Sequence, residues 1–381
     1  MEIKKYKIFS IMFMWIFGVI TLCGFAMIAL LWLYDPFWLF HKPIFRATTY
    51  HSDMRIQAKG IIDSAEFDSV ILGSSMLENT SAKEAEQKLG GKWVNLSLSA
   101  SSFEERDILF AYITKRKKIK SVIYSIDSFS LVNIKGIRIK PEFYANDSIE
   151  ARFRFYLDKK FIKCAFKWSK KPECVGGGKD LENLMRWYKY AQKEYKGGFN
   201  AWLDFRKNDA VKALKIYEKG EMLPPLDIDK MRQYVKKYVF EMIAKNPQID
   251  FYLIIPPLSR FFWKMPSEWL YHENRTGKQF FAEYKIMIEW FIKESAKYHN
   301  IQIYGFDDLS YPDTITNYRD VTHYNVDMNS MQLDAIANGT HILTPQNIDN
   351  YLATMESKIK NYDITPLIEQ IKAWKAQNKS N

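Results

Sequence analysis

From Ile8 to Tyr34 the chain carries no charged residue. At 1.5 Å per helical residue this run is long enough to cross the ~30 Å hydrocarbon layer of a bilayer. Lys4, Lys5 and Lys7 precede it, which predicts a cytoplasmic N-terminal end, and Trp32, Tyr34, Phe37, Trp38 and Phe40 form an aromatic belt at its exit. Lys42, Arg46, Arg55 and Lys59 follow, so the orientation does not rest on charge alone. A cleaved signal peptide has a shorter apolar region and a small-x-small site. Tyr34-Asp35-Pro36-Phe37-Trp38 offers no such site. The pattern predicts an uncleaved transmembrane anchor over 8–34, then a linker over 41–66 with a short helix at 54–62.

Beyond residue 66 the period alternates between strand and helix. Apolar runs at 67–73 and 121–126, and an alternating stretch at 92–98, predict three strands. Ser81, with Glu84 three residues on, and Ser102, with Glu105, mark the starts of helices ending near Leu89 and Lys117. Strand, helix, strand, helix, strand at this spacing predicts a parallel sheet. Residues 130–245 interrupt it with aromatic, basic, helical-period segments at 181–196, 201–217 and 227–244. The sheet resumes at 249–255, stopped by Pro256-Pro257, and continues through a helix at 279–299 to a strand at 301–306. A helix pair is predicted at 325–340 and 346–377. The fold class is α/β: a transmembrane helix, a parallel-sheet domain over 67–345 with a helical insertion at 130–245, and a C-terminal helix and tail over 346–381.

In an open parallel sheet, ligands bind beyond the carboxyl ends of the strands. Ser75 follows the first strand, in Gly73-Ser74-Ser75-Met76, and Asp320-Val321-Thr322-His323 follows the last. A serine is a poor nucleophile until an imidazole takes its proton, and a carboxylate orients the imidazole. The three groups come from loops that the sheet directs to one edge. His272, His299 and His341 stand in loop or helix-end contexts and read as structural, and no histidine pair has the spacing of a metal site.

Composition bounds the reading further. Hydrophobic residues make up 47% and aromatic residues 16% of 381 positions, enough for a sizeable core. The net charge is +11, and residues 151–220 hold 18 Lys/Arg against 8 Asp/Glu. That excess suits an acidic glycan or anionic lipid, or is simply a solvated basic face. No nucleic-acid motif accompanies it. Cys23 lies in the apolar run. Cys164 and Cys174, ten positions apart, form a disulfide pair if the segment lies outside the cytoplasm, and are otherwise unrelated thiols.

These motifs resemble the SGNH (GDSL-like) hydrolase superfamily over 67–130 and 249–340. Gly73-Ser74-Ser75-Met76 stands where that family has Gly-Asp-Ser-Leu, and Asp320-x-x-His323 matches its C-terminal block. Asn95-Leu96-Ser97-Leu98-Ser99-Ala100 resembles the second block, with Ala100 where an oxyanion-hole glycine is usual. Ile126-Asp127-Ser128-Phe129 takes the third block, without its asparagine. The resemblance implies a flavodoxin-like sheet and a nucleophile at Ser75. His323 is then the base, Asp320 its orienting carboxylate, and Ser99 and Ala100 lie at the oxyanion hole. Ser74, Asn95 and Asp127 are implied as substrate-binding candidates, and no metal or cofactor is required. In its anchor and its Gly-Ser-Ser motif the chain is similar to alginate O-acetylation proteins and the D-alanyl transfer protein of teichoic acids. That implies an esterase or O-acyltransferase on a cell-envelope glycan, held on the periplasmic (extracytoplasmic) side of the inner membrane. An envelope protein complex is a further candidate partner. An SGNH-like domain without catalysis, acting as a scaffold or as a glycan- or lipid-binding protein, is the alternative.

Overall fold

Each predicted strand segment contributes a strand. The computed structural model of the chain describes residues 2–134, 136–182, 187–188, 203, 226–264 and 277–377. It divides into two units, Met1–Ala65 with Ile139–Leu184, and Glu66–Arg138 with Met185–Asn381.

The second unit holds the sheet. Its strands are β1 (Ser69–Leu72), β2 (Trp93–Asn95), β3 (Ser121–Ser125), β4 (Asp250–Ile255), β5 (Ile301–Gly305) and β6 (Ile342–Leu343), in the order β2-β1-β3-β4-β5-β6. The first five are parallel. The chain leaves β1 toward opposite neighbours, β2 on one side and β3 on the other, so the gap beyond β1 is the topological switch point where a crevice opens. Side chains alternate between two buried faces. Ile71, Ile123, Ile254 and Tyr304 pack with Leu77, Ala85, Tyr324, Met328 and Leu333, from the turn after β1, helix Ala82–Leu89, and helix Val326–Asn338 with its approach. On the opposite face Phe251 meets Phe110 of helix Phe103–Arg116. Buried on both sides, these strands read as apolar runs rather than alternations.

The caps follow the sequence. Ser81 Oγ accepts the N–H of Glu84, and Ser102 with Glu105 forms a reciprocal capping box. The C-terminal region departs from it. The chain leaves helix Val326–Asn338 through Gly339, at φ 62°, and returns to pair β6 antiparallel with β5. Two residues are too few to show a period, so β6 was not predicted. The helix expected at 346–377 is two, Ile348–Asn361 and Thr365–Gln377. Tyr362–Ile364 separate them, and Asp363 accepts the Thr365 N–H to start the second helix.

The first unit begins with helix Glu2–Tyr34, of which Ile8–Tyr34 is long and apolar enough to cross a membrane, with mean hydropathy 2.5. Its end is a folded turn. The buried Asp35 carboxylate accepts N–H groups from Leu39, Phe40 and His41 and the Tyr156 hydroxyl. Arg46 donates to the carbonyls of Tyr34, Asp35 and Pro36, capping carbonyls that a helix end leaves unpaired. Residues 41–66, expected to be a linker, belong to this unit through Ala65. Helix Met54–Ser64 buries Ala58, Ile61 and Ile62, and its buried Lys59 donates to the Phe143 carbonyl. The expected insertion is likewise not one body, because 139–184 joins the first unit and the remainder the second. The helices expected at 181–196 and 201–217 fall almost wholly outside the described residues, while 227–244 is helical from Ile228, with one π turn at Lys236–Phe240. Cys164 and Cys174 are disulfide-bonded, with Cα atoms 5.7 Å apart.

Candidate active site

Between Ser69 and Ala82 every residue is buried except Ser75. Local packing enforces this presentation. A side chain at Gly73 would meet Leu77 at 2.8 Å, so only glycine lets the strand turn there. Gly73 donates to Ser97 Oγ, and its carbonyl accepts from Leu98 N and Ser101 Oγ. The second-block loop is thereby laced to the residue two before the nucleophile.

Beneath the turn lies a buried charge. Arg106, fully buried in helix Phe103–Arg116, donates to Ser101 Oγ at 2.8 Å, to the Ser101 carbonyl, to the Ser125 carbonyl and to Asp127. Asp127 accepts the Ser74 hydroxyl at 2.7 Å and the Ser125 hydroxyl at 3.1 Å. Burial works to lower the Arg106 pKa, but the Asp127 charge and hydrogen bond, with Tyr124 and Tyr234 beside them, together outweigh it and raise it. One buried ion pair therefore links the loops after β1, β2 and β3, with Arg106 reaching the second and third and Asp127 reaching the first. The three residues expected at the substrate all make hydrogen bonds within the fold. Ser74 and Asp127 are spent on each other in the interior, both under a tenth exposed. Asn95 gives its amide N–H groups to the Leu77 and Thr80 carbonyls and accepts from Ser97 N.

The second arm is a tight loop. Tyr318 and Tyr324 pair as an antiparallel bridge, and Arg319 N donates to the His323 carbonyl. Within it, Asp320 Oδ1 accepts from Thr322 N, Thr322 Oγ1 and His323 N, while Oδ2 lies 2.7 Å from His323 Nδ1. The other ring nitrogen, Nε2, lies 2.7 Å from Ser75 Oγ. With the proton on Nδ1 held by the carboxylate, Nε2 is free to accept the serine proton. The imidazole is 27% exposed and the carboxylate 15%, so the base is reachable and its anion is sheltered. Burial pushes the Asp320 pKa up, but the His323 charge and the converging N–H and O–H donors hold it well below the carboxylate range. For His323, burial works downward, and the Asp320 charge and hydrogen bond outweigh it and raise the pKa above 6.5.

The two arms are joined directly. The Tyr324 hydroxyl and the Asn329 amide both donate to the Met76 carbonyl, at 2.8 and 3.1 Å. Trp187 bridges them from the other side. Its indole N–H donates to the Ser75 carbonyl at 3.3 Å, its ring stands edge-on to the imidazole at 5.5 Å, and the Arg319 guanidinium lies 5.2 Å from its centre. Ser99 and Ala100 sit on the exposed rim of the second-block loop, their carbonyls accepting from Arg138. Ala100 has φ 48°, the left-handed backbone that favours glycine. Among the described residues the N–H groups of Ser75 and Ala100 have no acceptor. Arg106, Thr322, Tyr324, Asn329 and Trp187 were not predicted. Only the short spacing of Thr322 to Asp320 carried a signal in the sequence, as an Asx-type turn.

Two outcomes follow from this geometry. Replacing Arg106 by Leu leaves Asp127 buried without a cation, a change that costs about 3–5 kcal/mol; denaturant melts of the full chain in detergent read it, and a further Asp127→Leu change should recover part of the loss. Because the base must be neutral and its pKa is raised, Ser75 reactivity toward a fluorophosphonate should climb with pH along a limb centred above 6.5. Asp320→Asn removes the anion, so that limb should move to lower pH while the maximal rate falls by on the order of 10³–10⁴-fold.

No protein-family model matches this chain, and no curated protein is similar to it in sequence.

Proposed function

We propose that the protein is a membrane-anchored serine esterase or O-acyltransferase of the SGNH-like kind, acting outside the cytoplasm on a cell-envelope glycan. The observation that carries this reading is the unbroken chain Ser75 Oγ–His323 Nε2 and His323 Nδ1–Asp320 Oδ2, 2.7 Å at each step. The strand order supports a flavodoxin-like frame, with the nucleophile at the switch point between β1 and β3. Ser75 attacks an ester carbonyl as His323 takes its proton, and the unpaired N–H groups of Ser75 and Ala100 receive the oxyanion. Collapse of that intermediate forms an acyl-Ser75 ester and releases the alcohol, protonated by His323. A sugar hydroxyl or water, deprotonated by the same imidazole, then takes the acyl group and restores the serine.

One observation favours the scaffold alternative. Asp127 occupies the place of the third-block asparagine, and its carboxylate, an acceptor bound to Arg106, has no proton to donate to an oxyanion. Losing one such donor costs about 2.7–4 kcal/mol of transition-state stabilisation. The rate should therefore be low but measurable.

Purified chain should take a fluorophosphonate label and turn over p-nitrophenyl acetate, and Ser75→Ala should lose both while melting as the parent does. Equal turnover by Ser75→Ala would sink the enzyme reading and leave the scaffold. For location, the N-terminal lysines support an outward-facing domain, and disulfides persist in oxidising compartments. Acid-quenched cells should yield Cys164 and Cys174 that resist alkylation until reduced; free thiols in that assay would place the domain in the cytoplasm.

A further inference from the structure

The first unit carries a cleft that the proposed catalysis does not use. Lys159, Lys160, Lys163, Lys167 and Lys171 line it, with Asp158, Glu173, Ser169 and the Cys164–Cys174 bridge, around a volume of about 640 Å³. Lys159, Lys163 and Lys167 recur at four-residue steps, from the first turn of helix Lys159–Phe166 to the residue that caps its end. Like charges at that spacing repel, and cations in a first turn oppose the helix dipole. Among the described residues none of these three lysines has an acidic partner, and Lys171 reaches Glu173 only at 4.0 Å. The disulfide ties the helix to segment Pro172–Val175, holding the cationic walls of the cleft together. Such an arrangement is stabilised by a bound anion.

Position within the same unit says which anion. The apolar helix ends at Tyr34, whose hydroxyl donates to the Ser169 carbonyl at 2.6 Å and whose ring packs on Trp168 at 5.6 Å. Ser169 lines the cleft. Leu157 and Phe166, at the two ends of the lysine helix, are 59% and 65% exposed, an apolar edge beside a cationic face, as in helices that lie at a membrane surface. If Ile8–Tyr34 crosses the bilayer, the cleft opens at the level of the headgroups. We infer that it is a binding site for the phosphate headgroup of an anionic phospholipid. This inference rests on the membrane reading of Ile8–Tyr34 and is independent of the catalytic one.

The full chain can be placed in phosphatidylcholine nanodiscs carrying traces of spin-labelled phosphatidylglycerol or spin-labelled phosphatidylcholine. Co-elution with the disc reads insertion, and the immobilised fraction of each label reads the cleft. The wild type should immobilise the anionic label at least about fivefold more strongly than the neutral one, the worth of one lysine near an anionic surface. The preference should fall with added salt. Lys163→Glu with Lys167→Glu and Lys171→Glu should remove it, and the milder triple change to Gln should weaken it, with fluorophosphonate labelling of Ser75 unchanged in both. Equal immobilisation of the two labels by inserted wild type, or a preference that survives both triple changes, overturns the site alone. Failure to enter the disc overturns the site and the membrane reading together. Loss of the lipid preference in favour of soluble polyuronate, bound by wild type and not by the variants, reassigns the cleft to a glycan.

Discussion

Arg106 and Asp127 form the contact on which the nucleophile's setting depends. A fully buried guanidinium is tolerable only when its donors are met. Here they are met from two places: Ser101 after β2, and Ser125 and Asp127 at the end of β3. Asp127 passes the constraint to Ser74, one residue before the nucleophile. Three loops that a parallel sheet merely delivers to one edge are thereby fixed to within hydrogen-bond tolerance of one another. The turn itself carries a serine at this place, and the carboxylate beside it comes from the loop that follows β3.

The acid–base arm is organised differently. Among the described residues Asp320 has no cationic partner besides the imidazole; it is held by the backbone of its own four-residue turn and by Thr322. Its distance to Ser75 is set by Tyr324 and Asn329 gripping the Met76 carbonyl. A rigid serine turn and a locally folded histidine loop are thus joined by side-chain donors on one arm and main-chain carbonyls on the other.

Much of this was legible in the chain. The parallel strands lie in apolar or alternating stretches with turn residues after them, and Ser81 and Ser102 announce their helices because a hydroxyl at that position satisfies an amide left free at the helix start. Ser75, Asp320 and His323 were readable for the same reason, since their types and placement have few uses in common. What was not legible depends on partners remote in sequence. Arg106 looks like one more charge on an amphipathic helix until Asp127 is seen 2.7 Å from Ser74. Asn95 matched a family block yet spends its amide holding Leu77 and Thr80 in place. Trp187 lies in a stretch whose period spoke only of helix. β6 is two residues long, and its pairing exists only because Gly339 turns the chain back.

The first unit is made of two stretches separated by Glu66–Arg138, and this has a consequence for biogenesis. When the apolar helix and helix Met54–Ser64 have left the ribosome, Tyr156, which closes the turn around Asp35, and both partners of the disulfide are still unmade. At 5–20 residues per second the missing part arrives on the order of several seconds later. Through that interval the Asp35 carboxylate lacks the Tyr156 hydroxyl and Lys59 lacks the Phe143 carbonyl, and β1, β2 and β3 can already associate. The sheet nucleus therefore has a head start over the element nearest the N-terminal helix, and oxidation of Cys164 with Cys174 becomes the late step that closes a segment synthesised in two instalments.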